Sequence, residues 1–223
     1  MRIVFDVETV GHDFDTLDQS SREYFLKFAK NDEEIEEAKQ SLNFFPLTAQ
    51  IVAIAMLDVE TEEGTVLFQN GSNGSKEKFT EEKVTYVAAN ERDILQQFWS
   101  KINRAEQVIT FNGRAFDGPF VMIRSAIHKV RTAKNLVPYR YDHKLHCDLA
   151  DQLSFYDAMR RKFGLHMWCQ AFGIQSPKEE GITGLMVKDL YKEGRYHDIA
   201  RYCMRDVVAT RELFLYWDKF LRF

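Results

Sequence analysis

The sequence predicts a single α/β domain built on a mixed β-sheet flanked by α-helices, with an α+β arrangement as the alternative. Candidate strands come mainly early in the chain and candidate helices mainly late, and one strand–helix–strand unit lies between them. The length of 223 residues matches one domain, and no internal repeat of about 20 to 50 residues is visible.

The first half of the chain supplies most of the predicted strands. Residues 2–8 alternate between an apolar face and a face that carries two acids, which indicates a strand. An acidic, helix-prone segment follows, and we expect it to form a helical insertion at about 13–45. Two apolar runs then predict strands at 51–60 and 65–70, ahead of a loop at 70–75.

The second half supplies most of the predicted helices. Apolar residues at helical spacing indicate a helix over 93–102, and a strand at 107–111 follows it. Asp117 and Pro119 together are typical of a helix start. The remaining predicted elements are a helix from 117 to about 128, a short strand at 145–150, and helical segments at roughly 158–172, 182–192 and 196–221.

The composition excludes several classes of protein. With 45% hydrophobic and 29% charged residues, the chain is neither disordered nor fibrous. No apolar run reaches the ~18 residues that a membrane-spanning helix needs, so we expect no membrane partner. The N-terminal residues carry acids where a signal peptide requires an apolar core, and three widely spaced cysteines fit reduced thiols. These features predict a cytoplasmic protein.

The charge balance limits how the chain can bind nucleic acid. Its 30 Lys and Arg against 34 Asp and Glu give a net charge of -4. A protein that binds through phosphate attraction alone is normally basic. The balance is nevertheless compatible with an enzyme whose acidic site holds metal ions, because two divalent cations would neutralise it.

Asp6 and Glu8 lie two positions apart on the first predicted strand and therefore point to the same face. Two neighbouring carboxylates repel each other and resist burial. A hard divalent cation with oxygen ligands, placed between them, would remove that repulsion. An exposed edge strand is the structural alternative for this pair.

Two further acids extend this hypothesis. Asp117 follows the strand at 107–111, and a helix N-cap is its structural alternative. Asp206 lies beside the apolar stripe of the last helix, one turn after Tyr202, and a Tyr202–Asp206 hydrogen bond within the core is the alternative there. Taken together, the four acids match the carboxylate cluster that holds two metal ions about 3.5–4 Å apart for an in-line phosphoryl displacement.

Three motifs carry a family resemblance. FDVET at 5–9, FNGRAFDGP at 111–119 and YCMRD at 202–206 resemble, in order and spacing, the three exonuclease motifs of the DEDD 3'→5' exonuclease superfamily. The chain is similar in particular to the exonuclease domain of family-B DNA polymerases and to stand-alone bacterial proteins related to it. The likeness covers residues 1–223, a single exonuclease domain, and implies an RNase H-like sheet flanked by helices.

The resemblance also implies roles for individual residues. Asp6, Glu8, Asp117 and Asp206 would be the ligands of two divalent metal ions, Mg²⁺ or Mn²⁺. Asp6 would bridge both ions, while Glu8 and Asp206 would hold the ion that activates water. Asp117 would act on the second ion through water, and Tyr202 would orient the attacking water.

The residues four and five positions before the last acid distinguish the two branches of the superfamily. One branch places a His five residues before the final Asp, and that position is Arg201 here. The other branch places a Tyr four residues before it, and that position is Tyr202. The chain therefore resembles the tyrosine branch.

Three residues are candidates for substrate binding. Asn112 and Phe116 match the substrate-contacting part of the second motif, with a turn residue and a core aromatic as their structural alternatives. Lys178 lies 24 residues before Tyr202, near the place where the polymerase domains carry a phosphate-contacting lysine. An exposed loop lysine is the alternative for Lys178.

A basic stretch at 121–150 offers a route for a phosphate backbone, with a solvated surface as the alternative. Tyr139 and Tyr141 within it have the chemistry to stack on unpaired bases. The basic side chains are Arg124, Lys129, Arg131, Lys134, Arg140 and Lys144, with a second run at Arg160, Arg161 and Lys162. His143, His146 and Cys147 raise the alternative of a zinc site, but no fourth ligand is evident nearby.

The sequence thus predicts a metal-dependent 3'→5' exonuclease that acts on a single-stranded 3' end and releases nucleoside 5'-monophosphates, with DNA favoured over RNA. An RNA-directed exoribonuclease is the alternative within enzymes. A non-catalytic nucleic-acid-binding module of the same fold is the alternative from another class. An RNase H-type endonuclease would satisfy the fold but would not require Tyr202 before Asp206.

Overall fold

A seven-stranded mixed sheet forms the centre of the computed structural model, which describes residues 1–71 and 77–222. Most of the predicted loop at 70–75 therefore lies outside the described residues. The strands are β1 (Arg2–Gly11), β2 (Ala49–Asp58), β3 (Gly64–Phe68), β4 (Lys78–Glu81), β5 (Val84–Ala88), β6 (Gln107–Thr110) and β7 (His146–Asp148). Their spatial order is β4–β5–β3–β2–β1–β6–β7.

Helices cover both faces of this sheet. They are α1 (Gln19–Leu26), α2 (Asp32–Ser41), α3 (Glu91–Ile102), α4 (Asp117–Ile127), α5 (Leu149–Leu153), α6 (Leu165–Phe172), α7 (Val187–Lys192) and α8 (Tyr196–Phe220). The long α8 packs against one face, and α3 and α4 pack against the other. None of the helices in the described part of the chain is both long and apolar enough to cross a membrane.

Strand β1 lies inside the sheet, antiparallel to β2 and parallel to β6. Ile3, Phe5 and Val7 belong to the core beneath α3 and α4, whereas Val4 and Val10 belong to the core beneath α8. The exposed-edge alternative for Asp6 and Glu8 is therefore wrong. A register shift between Glu8 and Thr9 interrupts the pairing with β2 at the point where the acids end.

Most predicted elements are confirmed, and three differ. The hairpin β4–β5 was not predicted, because its two strands are only four and five residues long and β4 is half exposed. The helix predicted over 158–172 is confined to 165–172, because Gly164 is its N-cap and residues 158–161 form turns and bends that follow three left-handed residues at 155–157, with φ of 50° to 71°. The strand predicted at 145–150 ends at 148, where α5 begins.

The segment predicted as a helical insertion contains α1, α2 and short 3-10 turns at 14–16 and 42–44. Asp18 and Asn31 cap the two helices through the backbone amides of Ser21 and Glu34. Asn43 ties the segment to β1, because its Oδ1 accepts the amide of Gly11 at 2.7 Å. The prediction that this segment is an insertion into a minimal exonuclease domain stays a prediction.

Candidate active site

Strand β1 and helix α8 bring three carboxylates together. Asp6 and Glu8 lie on the face of β1 that α8 covers, and Asp206 lies on α8 opposite them. One carboxylate oxygen from each residue lies within 4.8 Å of the other two. Elsewhere among the described residues, no group of three or more His, Cys, Asp or Glu side chains comes together in this way. The carboxylate cluster predicted from Asp6, Glu8 and Asp206 is thus present as a geometric fact.

Asp117 approaches the same cluster from the start of α4. It is the first residue of the helix and is 4% exposed. The cap residue is Phe116, and no side chain caps this helix, so the N-cap alternative for Asp117 is wrong. Its Oδ1 is buried and, among the residues that the structure describes, has no hydrogen-bond partner. Buried polar atoms normally have a hydrogen-bond partner, and an oxygen that lacks one within the protein can bind a ligand.

Burial raises the pKa of all four carboxyl groups, and repulsion from neighbouring carboxylates adds to it at Asp6, Glu8 and Asp117. Desolvation is the largest cause in each case. The pKa values of Asp6 and Glu8 lie well above their usual range, with the charges of Asp117 and Asp206 adding to the effect of burial. The pKa of Asp117 is raised to about 7 and that of Asp206 to about 6.

This donor set fits hard divalent cations. Carboxylate oxygens are the ligands that Mg²⁺ and Mn²⁺ prefer, and the buried, unpartnered Oδ1 of Asp117 supplies one more. The nearest sulfur, Sγ of Cys203, lies 3.6 Å from Oδ2 of Asp6 and donates to it rather than offering a thiolate, because burial raises the pKa of that thiol. The chemistry of the cluster therefore favours oxygen-seeking ions over zinc.

Tyr202 lies one helical turn before Asp206 and is 5% exposed. Burial, followed by the charges of Asp206, Glu8 and Asp6, raises the pKa of its hydroxyl, so the hydroxyl stays protonated. Hydrogen bonding from Tyr202 in turn lowers the pKa of Asp206. The Tyr202–Asp206 interaction foreseen as the structural alternative is present, and it places a proton donor beside the carboxylates. Arg201 points away and pairs with Glu81 of β4 at 2.6 Å.

The three candidate substrate-binding residues occupy different environments. Lys178 is exposed in the 3-10 turn at 177–180, and its charge lowers the pKa of Asp206. Asn112 is exposed and adopts a left-handed conformation with φ of 65°. Phe116 is half-buried against Phe120, with ring centroids 5.3 Å apart, and contributes to the core beneath α4. These positions are compatible with both the functional and the structural alternative.

The predicted basic route along 121–150 is neutralised at two of its six basic side chains, Arg124 and Arg140. Arg124 is buried and donates to both carboxylate oxygens of Glu91, at 2.8 and 2.6 Å. Arg140 binds Asp151 and Asp157, each at 2.6 Å. Sequence reasoning could not foresee these pairs because their acids lie 11 to 33 residues away along the chain. Tyr139 and Tyr141 are exposed, as a stacking role requires.

The zinc alternative at His143, His146 and Cys147 is not supported within the described residues. His146 is buried and hydrogen-bonded to Thr110 and to the carbonyl of Leu136. Sequence reasoning also missed the contacts of Asp148, which accepts the amides of Asn112 and Arg114 in the second motif and the amide of Ala150 in α5. The signal that would have found it is a pair of polar residues two positions apart on a short buried strand.

The comparisons with known proteins show the family to which the chain belongs. Residues 43–221 match the model of a family described as predicted 3'-5' exonucleases related to the exonuclease domain of PolB. The chain belongs to this exonuclease family. Asp117, Tyr202 and Asp206 lie within the matched residues, and Asp6 and Glu8 precede them. No curated protein is a significant match to the chain.

The PolB-related fold is also found in solved structures. The chain superimposes on the family B DNA polymerase of the hyperthermophilic archaeon Pyrobaculum calidifontis with a TM-score of 0.58 and 15% sequence identity. The match covers 99% of this chain and 24% of the polymerase chain. Together with the mixed sheet and its flanking helices, this similarity confirms the predicted RNase H-like fold.

Proposed function

We propose that this member of the PolB-related exonuclease family is a metal-dependent 3'→5' exonuclease that hydrolyses single-stranded DNA to nucleoside 5'-monophosphates. The observation that carries the proposal is the convergence of Asp6, Glu8 and Asp206 within 4.8 Å, beside the unpartnered buried oxygen of Asp117. Four carboxyl groups with raised pKa values are unfavourable in a core unless cations compensate them.

The four carboxylates would hold two Mg²⁺ or Mn²⁺ ions. As the family resemblance implies, Asp6 would contact both ions, and Glu8 and Asp206 would complete the site for the ion nearer the water. Asp117 would serve the second ion through its free Oδ1. When bound, two such ions activate a water molecule and stabilise the leaving oxygen of an in-line phosphodiester displacement.

Tyr202 would orient the attacking water. Its hydroxyl stays protonated and lies beside Asp206, so it can fix the position of a water molecule that Asp206 also contacts. Lys178 would contact the phosphate of the terminal nucleotide from the exposed turn at 177–180. Asn112 and Phe116 would contact the terminal nucleotide from the second motif. These substrate-binding assignments follow from the resemblance of the motifs.

We further propose that the substrate is DNA rather than RNA and that the enzyme works in the cytoplasm. The relation of the family to a DNA polymerase exonuclease domain supports the first point. The three cysteines are buried and form no disulfide among the described residues, which fits a reducing compartment and supports the second point. An exoribonuclease of the same mechanism would give the opposite sugar preference.

Product analysis tests this proposal. Linear and circularised single-stranded DNA and RNA of one sequence are incubated with the protein and Mg²⁺ or Mn²⁺, and the products are separated by chromatography. We expect 5'-monophosphates from linear DNA and no cleavage of the circles. Cleavage of circles would indicate an endonuclease, and preferential hydrolysis of linear RNA would indicate the exoribonuclease. Binding without hydrolysis would indicate a non-catalytic module.

A further inference from the structure

We infer that Asp148, which lies outside the three motifs, is a positioning residue that holds the second motif in place and thereby sets Asp117 in the metal site. The inference rests on the proposed function for the metal site and for its activity readout. It concerns the turn at 112–114, which joins β6 to the approach of α4 and carries the left-handed residue Asn112.

The carboxylate of Asp148 binds this turn through both of its oxygens. Oδ1 accepts the amide of Asn112 at 2.7 Å, and Oδ2 accepts the amide of Arg114 at 2.9 Å. Oδ1 also accepts the amide of Ala150, at 3.0 Å, which fixes the carboxylate to the start of α5. Asp148 is 3% exposed, so these hydrogen bonds to an acidic group are shielded from water and therefore strong.

His146, on the same face of β7, holds the middle of the turn indirectly. Its Nδ1 lies 2.7 Å from the carbonyl of Leu136, which can only accept, so Nδ1 carries the proton. Its Nε2 therefore accepts the hydroxyl of Thr110 at 2.8 Å, and Thr110 Oγ1 accepts the amide of Gly113 at 3.2 Å. All three amides of the turn are thus directed at side chains that β7 supplies or positions.

The turn transmits this position to α4. The carbonyl of Gly113 accepts the amide of Gly118 at 2.7 Å, and Gly118 directly follows Asp117. The turn is also tightly packed, because a Cβ on Gly113 would lie 2.5 Å from Thr110. A shift of the turn therefore moves the first residues of α4, and the carboxylate of Asp117 moves with them.

Asp148 acts by positioning and not as a metal ligand. Both of its oxygens are occupied by amides, and it is not part of the cluster formed by Asp6, Glu8 and Asp206. Removing a residue that positions a metal ligand through hydrogen bonds typically lowers the metal affinity or the activity by about 10- to 100-fold.

The matched control is Asp58, at the end of β2. It is also a buried carboxylate, and its Oδ1 accepts the amides of Glu60 and Thr61 in the turn before β3, at 2.9 and 3.0 Å. Asp58 therefore offers the same kind of hydrogen bond in a turn that does not lead to the site. Removing its side chain measures what a purely structural loss does to the enzyme.

The experiment compares wild type, Asp148→Ala, Asp148→Asn and Asp58→Ala at a temperature where circular dichroism shows each protein folded. The readouts are kcat and KM on single-stranded DNA and the affinity for Mn²⁺ by electron paramagnetic resonance. For Asp148→Ala we expect kcat and the affinity of the weaker Mn²⁺ site to fall about 10- to 100-fold with KM little changed. Asp148→Asn keeps one acceptor oxygen, so its kcat and its Mn²⁺ affinity should fall less. Asp58→Ala should match wild type in both readouts.

Wild-type kcat and Mn²⁺ affinity in Asp148→Ala would overturn the inference, and so would an equal loss in Asp58→Ala. If Asp148→Ala does not fold, Asp148→Asn decides by the same criteria. If the wild-type protein hydrolyses no oligonucleotide, the proposed function fails. The Mn²⁺ titration alone then tests the positioning role.

Discussion

The hydroxyl of Tyr202 and the carboxylate of Asp206 interact across one turn of α8, and this interaction lowers the pKa of Asp206 against the effect of burial. The same hydroxyl lies in the field of Glu8 and Asp6. One helix thus carries both an acid of the carboxylate cluster and a hydroxyl that lowers its pKa. Under the proposed function, this single pair of residues would link the orientation of the attacking water to the charge of the carboxylate.

Tyr202→Phe should therefore change the rate and its pH dependence together. Without the hydroxyl, the water loses a partner and the pKa of Asp206 rises from about 6. We expect kcat to fall about 10- to 1,000-fold; the upper part of this range is the loss typical of removing a hydrogen bond that stabilises the transition state. The affinity for Mn²⁺ at pH 8 should stay nearly unchanged. A pH–rate profile should show the acidic limb displaced to higher pH. An unchanged rate would refute the water-orienting role.

The metal-free protein should lose stability as the pH rises. The pKa of Asp206 rises on folding from an ordinary 3.8 to about 6, and that of Asp117 from 3.8 to about 7. Between these values the folded state binds more protons than the unfolded chain, so the free energy of unfolding falls from about pH 4 to pH 7. His146 has the opposite effect, because burial lowers its pKa from 6.5 to about 4 and stability is lost as the pH falls through that range.

Asp206→Asn separates these contributions. The amide carries no charge, so at pH 8 in EDTA the variant should be more stable than wild type by on the order of 2 kcal/mol. The difference should shrink towards pH 4 and reverse when Mg²⁺ is added. Denaturant unfolding at several pH values measures this. A variant less stable than wild type at pH 8 without metal would contradict the repulsion argument.

Lys178→Ala should weaken substrate binding without affecting the fold. The side chain is exposed, and its charge acts on Asp206 from the turn at 177–180. We expect KM for single-stranded DNA to rise about 3- to 10-fold, because the variant loses one phosphate contact that salt already screens in part. Lys219→Ala is the matched control, since Lys219 is also exposed and lies near the C-terminal end of α8, the helix that carries Asp206. Equal KM values for the two variants would return Lys178 to the role of a surface lysine.

Arg124→Met should destabilise the protein through Glu91. Arg124 and Glu91 are both buried, and Glu91 also accepts the amide of Ile51 and contacts His128. Removing the guanidinium leaves a buried carboxylate without its main partner, which costs about 3–5 kcal/mol. The double variant Glu91→Gln with Arg124→Met should recover much of that loss. The glutamine side chain carries no charge, and its oxygen can still accept the backbone amide of Ile51. Denaturant midpoints test both, and equal stability of single and double variants would exclude the buried-charge explanation.

The sequence predicted the site better than its surroundings. Asp6 and Glu8 were placed correctly because residues two apart on a strand share a face, and Tyr202 and Asp206 because residues four apart share a helix face. The hydrogen bonds of Asp148 were missed because they join it to amides 34 and 36 residues away. The pairing of Arg124 with Glu91 was missed for the same reason. Local spacing decides which side chains share an element, whereas long-range packing decides which of them remain available to a ligand.

A time course with wild-type protein and Asp6→Ala tests the central claim most directly. The substrates are 5'-labelled single-stranded DNA and RNA of one sequence, with Mg²⁺, Mn²⁺ or EDTA, resolved on a denaturing gel. We predict a metal-dependent ladder that shortens one nucleotide at a time from the 3' end of DNA and is absent with Asp6→Ala and in EDTA. An intact substrate with wild-type protein, or the same ladder with Asp6→Ala, would contradict the account.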